Sequence, residues 1–239
     1  MQEKVHSYFS EPQRYLKEGY NLRIRKECVH DFTRGEQYEN IIDAPCGDAS
    51  ISLPLLPKCS HLTLVDFSHQ MLNIALKNIP LSEKEKTEFI CSDIRNLNLP
   101  YNHYDLIICL GLLSHLKDPI SALDALMPLL KSGGKLILQN TDSGHWYFRL
   151  IKIYETIKTI FNPHHYHLYP VSEKLICSIL QNHGFTLQNQ FRYNQSFLGL
   201  GRMISSVKKY NLTRKFFGDI KHPKHQNWGS DHIYLFKKL

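Results

Sequence analysis

Residues 41–50, IIDAPCGDAS, constrain this chain more than any other stretch. An apolar run over 38–42 ends in Asp43 and passes into a turn of small residues, Ala44-Pro45-Cys46-Gly47-Asp48-Ala49. A buried parallel strand hands over in this way to a loop that must pass close to a ligand, and Gly47 permits close backbone approach or a positive φ. Twenty-three residues after Asp43, a second run, Leu62-Thr63-Leu64-Val65, ends in Asp66. In doubly wound sheets a carboxylate at the end of the second strand accepts hydrogen bonds from ribose hydroxyls. The two strand ends together predict a nucleoside-binding half.

The turn also says which nucleoside. A dinucleotide fingerprint places G-x-G-x-x-G at a helix N-terminus, where a pyrophosphate sits. Here one glycine lies between Asp43 and Asp48. Two carboxylates repel a pyrophosphate and suit a ligand with a cationic amino group. S-adenosylmethionine (SAM) offers an ammonium, a sulfonium and a ribose, and no phosphate. A nicotinamide cofactor is disfavoured on the same grounds.

The sequence DAPCGDA over 43–49 resembles motif I of the class I SAM-dependent methyltransferases, D/E-x-G-x-G-x-G, with Pro45 and Ala49 in place of its first and last glycines. Val65-Asp66-Phe67-Ser68, with Met71, Leu72 and Ala75, resembles the family's second-strand motif. Ser92-Asp93-Ile94, the run from Tyr104 to Leu116 and the run from Leu129 to Leu138 are similar to its later segments, in the same order. The resemblance covers 38–140 closely and 171–239 loosely. It implies a doubly wound, seven-stranded, mostly parallel sheet with helices on both faces and an antiparallel last strand. It also implies cofactor contacts from Asp43, Ala44, Pro45, Cys46, Gly47, Asp66, Phe67, Met71, Asp93, Ile94, Leu110 and Gly111. Asp66 would hold the ribose. Asp93 would accept from the adenine amino group, or else cap a turn.

At 239 residues the chain suits one α/β domain. Its expected parts are an N-terminal helical lid (1–37), a SAM-binding core (38–140), a helical insertion forming the acceptor pocket (141–170), and a C-terminal helix with closing strands (171–239). Helices are expected over 11–30, 68–78, 120–130, 146–160 and 171–183. A Ser132-Gly133-Gly134 turn leads into strand five, and 193–230 reads as basic and irregular. No stretch approaches the roughly 20 apolar residues of a membrane span, and the N-terminus has no apolar signal region, so a cytoplasmic protein without a membrane partner is expected. Six scattered cysteines read as free thiols, with Cys91 and Cys109 inside strands expected to be buried.

The sulfonium makes SAM intrinsically reactive. The protein must hold a nucleophile in line with the methyl group and exclude water, so no universal catalytic constellation is expected. An alcohol acceptor needs help losing its proton. The base candidates are His115, His145, His164, His165 and His167, each with a structural alternative. Candidates for acceptor contact are Tyr8, Tyr15, Trp146 and Arg149, and Arg149, Arg192 and Arg202 are candidate anion holders. The net charge of +7 favours an anionic or sugar-derived small molecule, methylated at oxygen with release of S-adenosylhomocysteine (SAH). His164, His165 and His167 with Asp142 do not have the spacing of a closed metal site, and no metal is expected. Two alternatives stand beside the small-molecule enzyme. One is an RNA methyltransferase using the basic run 202–224 with Tyr210, Phe216 and Phe217. Against it, Leu110-Gly111-Leu112-Leu113 is not the N/D-P-P-Y/F of base-amino methyltransferases. The other alternative binds SAM without transferring methyl.

Overall fold

The computed structural model describes residues 19–161, 168–195, 197 and 204–239. Seven strands form one sheet: β1 (Tyr38–Asp43), β2 (Cys59–Asp66), β3 (Thr87–Cys91), β4 (Tyr104–Cys109), β5 (Leu130–Thr141), β6 (Phe185–Tyr193) and β7 (Asp231–Lys238). Their spatial order is β3-β2-β1-β4-β5-β7-β6. Pairs within β3-β2-β1-β4-β5 are parallel, and β7 lies antiparallel between β5 and β6. The strand order reverses between β1 and β4, which is where open α/β sheets bind ligands.

Strand residues alternate between two cores, as the pleat requires. Ile41, Leu64, Leu106, Ile108 and Ile137 point to one face, which is covered by helices α1 (Tyr20–Phe32) and α2 (His69–Asn78). Ile42, Val65, Ile107, Cys109 and Leu138 point to the other, covered by α3 (Ile120–Leu126) and α5 (Glu173–Asn182). The apolar residues Ile41 and Ile42 of β1 and Leu106–Cys109 of β4 are what strands covered on both faces need. Between α3 and α5 runs α4 (Trp146–Phe161). The helix starts follow their capping serines: Ser68 Oγ accepts from the Met71 N–H (3.4 Å) and Ser172 Oγ from the Leu175 N–H (3.3 Å). No helix of the described residues is long and apolar enough to cross a membrane.

Four sequence expectations change. Cys91 is exposed, because β3 is an edge strand paired only with β2, whereas Cys109 is fully buried. The helix expected to reach 130 ends at Leu126 and tightens into a 3₁₀ turn, Met127–Leu129, containing Pro128. Ser132-Gly133-Gly134 does not precede β5 but lies within it. Pairing jumps from Tyr104–Leu130 to Leu106–Lys135, and Gly133 supplies the φ of +78° that this bulge requires.

The fourth change is a helix, α6 (Ser206–Phe217), inside the stretch expected to be irregular. Only Thr213 and Phe217 are buried on it, so it shows no apolar stripe. Polar contacts to α1 dock it instead: Arg214 pairs with Glu27, the Tyr210 hydroxyl donates to Glu27 Oε1 (2.6 Å), and the Arg23 guanidinium stacks 3.7 Å from the Tyr210 ring centre. Arg214→Met should therefore lower the unfolding free energy by about 1–3 kcal/mol, since it removes a charge-assisted pair at a half-buried site. Urea unfolding measures this, and an unchanged midpoint would show that α6 is held by other means.

Candidate functional site

At the C-terminal edge of the parallel strands lies a cavity of about 580 Å³. Its wall is built from the strand ends in turn. Pro45 and Gly47 follow β1, Asp66 ends β2 with Phe67 and Met71 beyond it, and Asp93 and Ile94 follow β3. Leu110 and Gly111 follow β4. These nine sequence-derived positions meet at one site. The other three, Asp43, Ala44 and Cys46, are not on the wall. They stand behind it, each at most 3% exposed.

Backbone pairing fixes the turn. After β1, the Ala44 N–H donates to Ile108 O (2.9 Å) and the Cys46 N–H to Val65 O (2.8 Å), so the turn is tied to both neighbouring strands. The Gly47 N–H then donates to Asp66 Oδ2 (2.9 Å), and the Ser68 N–H donates to Asp66 Oδ1 (2.9 Å). Gly47 and Ala49 both adopt positive φ, +55° and +58°. Glycine suits the first. At the second, an alanine stands where the family motif has glycine, and it is fully buried. Asp66 accepts from the N–H groups of Gly47, Ser68 and Phe67, which leaves one of its roughly four lone-pair sites, so the residue can brace the turn and still receive a ligand's hydroxyl.

The electrostatics favour a cation. Asp43, Asp48 and Asp66 are all buried around this turn. Burial, reinforced by the charges of Asp66 and Asp48, lifts the Asp43 carboxyl to about 8, against a hydrogen bond from Ser52. Asp43 Oδ2 has no partner. Burial also raises Asp66, opposed by the N–H groups of Ser68, Gly47 and Phe67. A positive group entering here would relieve the repulsion among these acids.

Asp93 caps the short 3₁₀ turn Ile94–Asn96. Its Oδ1 accepts from the Arg95 N–H (3.0 Å) and Arg95 Nε (2.9 Å). The capping role is thus present, and an adenine contact would be an addition to it. Positions that the sequence argument did not single out also line the cavity, among them Val65, Cys91, Leu112, Leu116, Lys117 and Tyr169. Most flank a quoted motif directly. Tyr169 does not; it arrives from the 141–170 insertion, anchored by its N–H to Ser114 O (2.7 Å).

The base candidates separate. His115 lines the cavity, and burial followed by the charge of Arg25 pushes its pKa down to about 4. It is neutral at pH 7 but a poor proton acceptor, because an effective base titrates near the working pH. His145 is not on the wall. Its Nδ1 accepts from the Tyr147 N–H (3.2 Å), which leaves Nε2–H to donate to Asn227 O (3.0 Å). Both nitrogens are thus engaged in holding the start of α4. His164, His165 and His167, like Tyr8, Tyr15 and Arg202, lie outside the described residues. Trp146 is also off the wall, packed edge-on against Trp228 (5.4 Å) with 45% of its surface exposed. Arg149 is exposed on the outer face of α4, beside Lys152, Ile153 and Thr156. Arg192 is paired with Glu173 (2.7 Å).

Asp142, Glu173 and His232 bring three potential metal-ligating atoms within 4.8 Å of one another. Several of these atoms already have partners. Asp142 Oδ1 accepts from the N–H groups of Gly144 and Glu173, both at 2.9 Å, and Glu173 takes the Arg192 guanidinium. His232 Nδ1 lies 2.6 Å from the Tyr234 hydroxyl. A guanidinium supplies the positive charge that a metal would bring.

Residues 42–138 match a family model described as a methyltransferase domain. That span contains every strand end that builds the cavity. The matched span is thus similar to a methyltransferase domain and covers less than half of the chain. Over 98 residues, 41% of this chain and 42% of the relative, the chain is 31% identical to a ubiquinone biosynthesis O-methyltransferase of Coxiella burnetii, so it spans less than half the length of that relative. Over 224 residues, 91% of this chain and 86% of the relative, it is 23% identical to a demethylmenaquinone methyltransferase of Listeria monocytogenes. In fold it is similar to magnesium protoporphyrin IX methyltransferase from Synechocystis PCC 6803, solved with bound SAH. That TM-score is 0.61 at 16% identity, covering 92% of this chain and 84% of the other.

The Asp43 shift gives a pH test. The folded state keeps a proton on Asp43 up to about pH 8, whereas the unfolded chain releases it near 3.8. Whatever stability the group contributes is therefore present at low pH and lost as pH rises toward 8. Asp43→Asn removes this loss. Thermal melts from pH 5 to 8 should show the variant gaining on the wild type as pH rises. Parallel curves would mean that Asp43 is ionised in the folded protein.

Proposed function

We propose that this chain binds SAM in the cavity and transfers its methyl group to a hydroxyl of a small aromatic or otherwise unsaturated acceptor, releasing SAH. The observation that supports this most is Asp66. It is buried at the end of β2, hydrogen-bonded to the Gly47 turn, and still able to receive a ribose hydroxyl. Phe67, Met71, Ile94 and Leu110 offer apolar surface to the adenine ring, with Asp93 at its edge. The acidic turn matches the ammonium and the sulfonium. In the reaction the acceptor oxygen forms a bond to the methyl carbon while the carbon–sulfur bond breaks and its electron pair stays on sulfur. The hydroxyl proton leaves to a base or to water.

The acceptor side is carried by Gly111, His115 and Tyr169. A neutral His115 suits orientation of a hydroxyl better than removal of its proton. The match to proteins named for quinone methylation supports phenolic, quinol-like acceptors as the first to try, and the net charge of +7 supports anionic ones among them. The RNA alternative is weakened by α6. Tyr210 is engaged with Glu27 and Arg23, and Phe217 is buried, so two of its three aromatics are turned into the protein.

The test is methyl-labelled SAM incubated with a panel of catechols, hydroxybenzoates and quinols. Labelled O-methylated product should form in step with SAH. Tight SAH binding without transfer to any acceptor would instead make the protein a SAM-binding subunit. Asp66→Asn, which keeps the shape of the side chain and removes its charge, should weaken SAH binding by about tenfold or more. Unchanged affinity would contradict the ribose role.

A further inference from the structure

Helix α4 turns an apolar stripe to solvent. Trp146, Leu150 and Ile153 stand at i, i+4 and i+7, which is one face of a helix, while Phe148 on the opposite face is buried. Two more exposed rings extend the stripe. Trp228 packs edge-on against Trp146, and Phe216 of α6 lies edge-on to Trp228 with ring centres 6.5 Å apart. The five side chains form one ridge, each between 43 and 59% exposed. Single exposed apolar residues need no explanation, but a contiguous ridge with two tryptophans is a surface built for contact.

The charge around the ridge says what it contacts. Arg149 and Lys152 flank it on α4. Lys215 stands beside Phe216, and Lys224 beside His225, whose ring lies 4.8 Å from that of Phe216. All four cations are exposed, and among the described residues no carboxylate pairs with them, whereas Arg192 and Arg214 hold Glu173 and Glu27. The imbalance is regional. Residues 143–230 carry twelve lysines and arginines against three aspartates and glutamates, so this segment holds all of the net positive charge. An anionic surface with an apolar interior meets both properties. A helix lying in a bilayer interface has this composition, with Trp, Leu and Ile toward the acyl chains and Lys and Arg toward the headgroups. Nucleic acid fits less well, because Leu150 and Ile153 offer no ring on which a base could stack. A second copy of the chain would bring like charges together, and lysine is depleted from protein interfaces.

We propose that the ridge from Phe216 to Ile153 docks this protein on an anionic lipid bilayer, with α4 lying in the interface plane. No spanning helix is needed for this. The lack of a long apolar stretch, from which the sequence predicts no membrane partner, therefore does not bear on it. Apolar burial and attraction to the headgroups act together, so a neutral bilayer lacks the second and salt screens it. The proposal is independent of what the cavity binds.

Vesicle sedimentation with the full chain tests this. The probes are vesicles of phosphatidylcholine alone, and of phosphatidylcholine with phosphatidylglycerol in equal parts, each at low and high salt. The protein should sediment with the anionic vesicles at low salt, less at high salt, and not with the neutral ones. The chain's two tryptophans both lie on the ridge, so their emission reports this face alone. It should shift to the blue on binding and be quenched by lipids brominated on the acyl chains. Leu150→Glu combined with Ile153→Glu should weaken binding by about tenfold or more, since two side chains then lose an apolar environment. Melting temperatures report folding of that variant, and the quenching measurement needs only the wild type. No sedimentation with anionic vesicles overturns the proposal, as does equal sedimentation with neutral ones. Sedimentation without a blue shift or quenching would be adsorption by charge alone and overturns it too, as does a folded double variant that sediments like wild type. Tryptophan quenching by a single-stranded oligonucleotide, with no vesicle binding, would make the face a nucleic-acid surface and likewise overturns it.

Discussion

The hydrogen bond from the Gly47 N–H to the Asp66 carboxylate joins the two parts of the site. It spans 2.9 Å between residues 19 apart in sequence. It exists only because β1 and β2 lie side by side in parallel, with Asp43 in register with Leu64. The register sets the turn after β1 against the end of β2, and the turn then presents its backbone to whatever Asp66 holds. Both cores serve this placement. Ile41 and Leu64 pack toward α1 and α2, and Ile42 and Val65 pack toward α3 and α5. A slip of one residue would turn each to the wrong face and carry Asp66 away from Gly47.

The same juxtaposition concentrates charge. Three buried acids at one turn form an arrangement that folding alone does not favour, and the proton held on Asp43 to about pH 8 is the sign of that cost. A cationic ligand offsets it. That unmet charge favours a ligand with a positive group, which is a stronger constraint on chemistry than the fold, since one fold hosts many activities.

Most of the core was legible because its signals are local. The strand run into Asp43, the run into Asp66 and the apolar run over 106–109 each specify an element and its end, and the capping serines at 68 and 172 mark helix starts. What escaped depends on partners distant in sequence. Whether Cys91 is buried depends on β3 being an edge. The bulge at Gly133 depends on register with β4. Helix α6 is held by Glu27, 187 residues before its Arg214 partner, so no stripe of its own betrays it. His145 looked like a base because it lies in a polar loop at the ligand edge, yet its ring ties that loop to Asn227. Arg25 and Arg23 are the two arginines of α1, and only the packing over Gly111 sets Arg25 apart from Arg23, which faces Glu27. Of the two base candidates among the described residues, His115 lines the cavity, through its place just after the strand-four glycine.

The most direct test is calorimetric titration of the purified protein with SAM, SAH and NAD. The proposed reading of the acidic turn, Asp66 and the single-glycine loop predicts micromolar binding of SAM and SAH, with none of NAD. Binding of NAD, or of none of the three, would contradict the assignment of the turn from Asp43 to Ala49 as a SAM site.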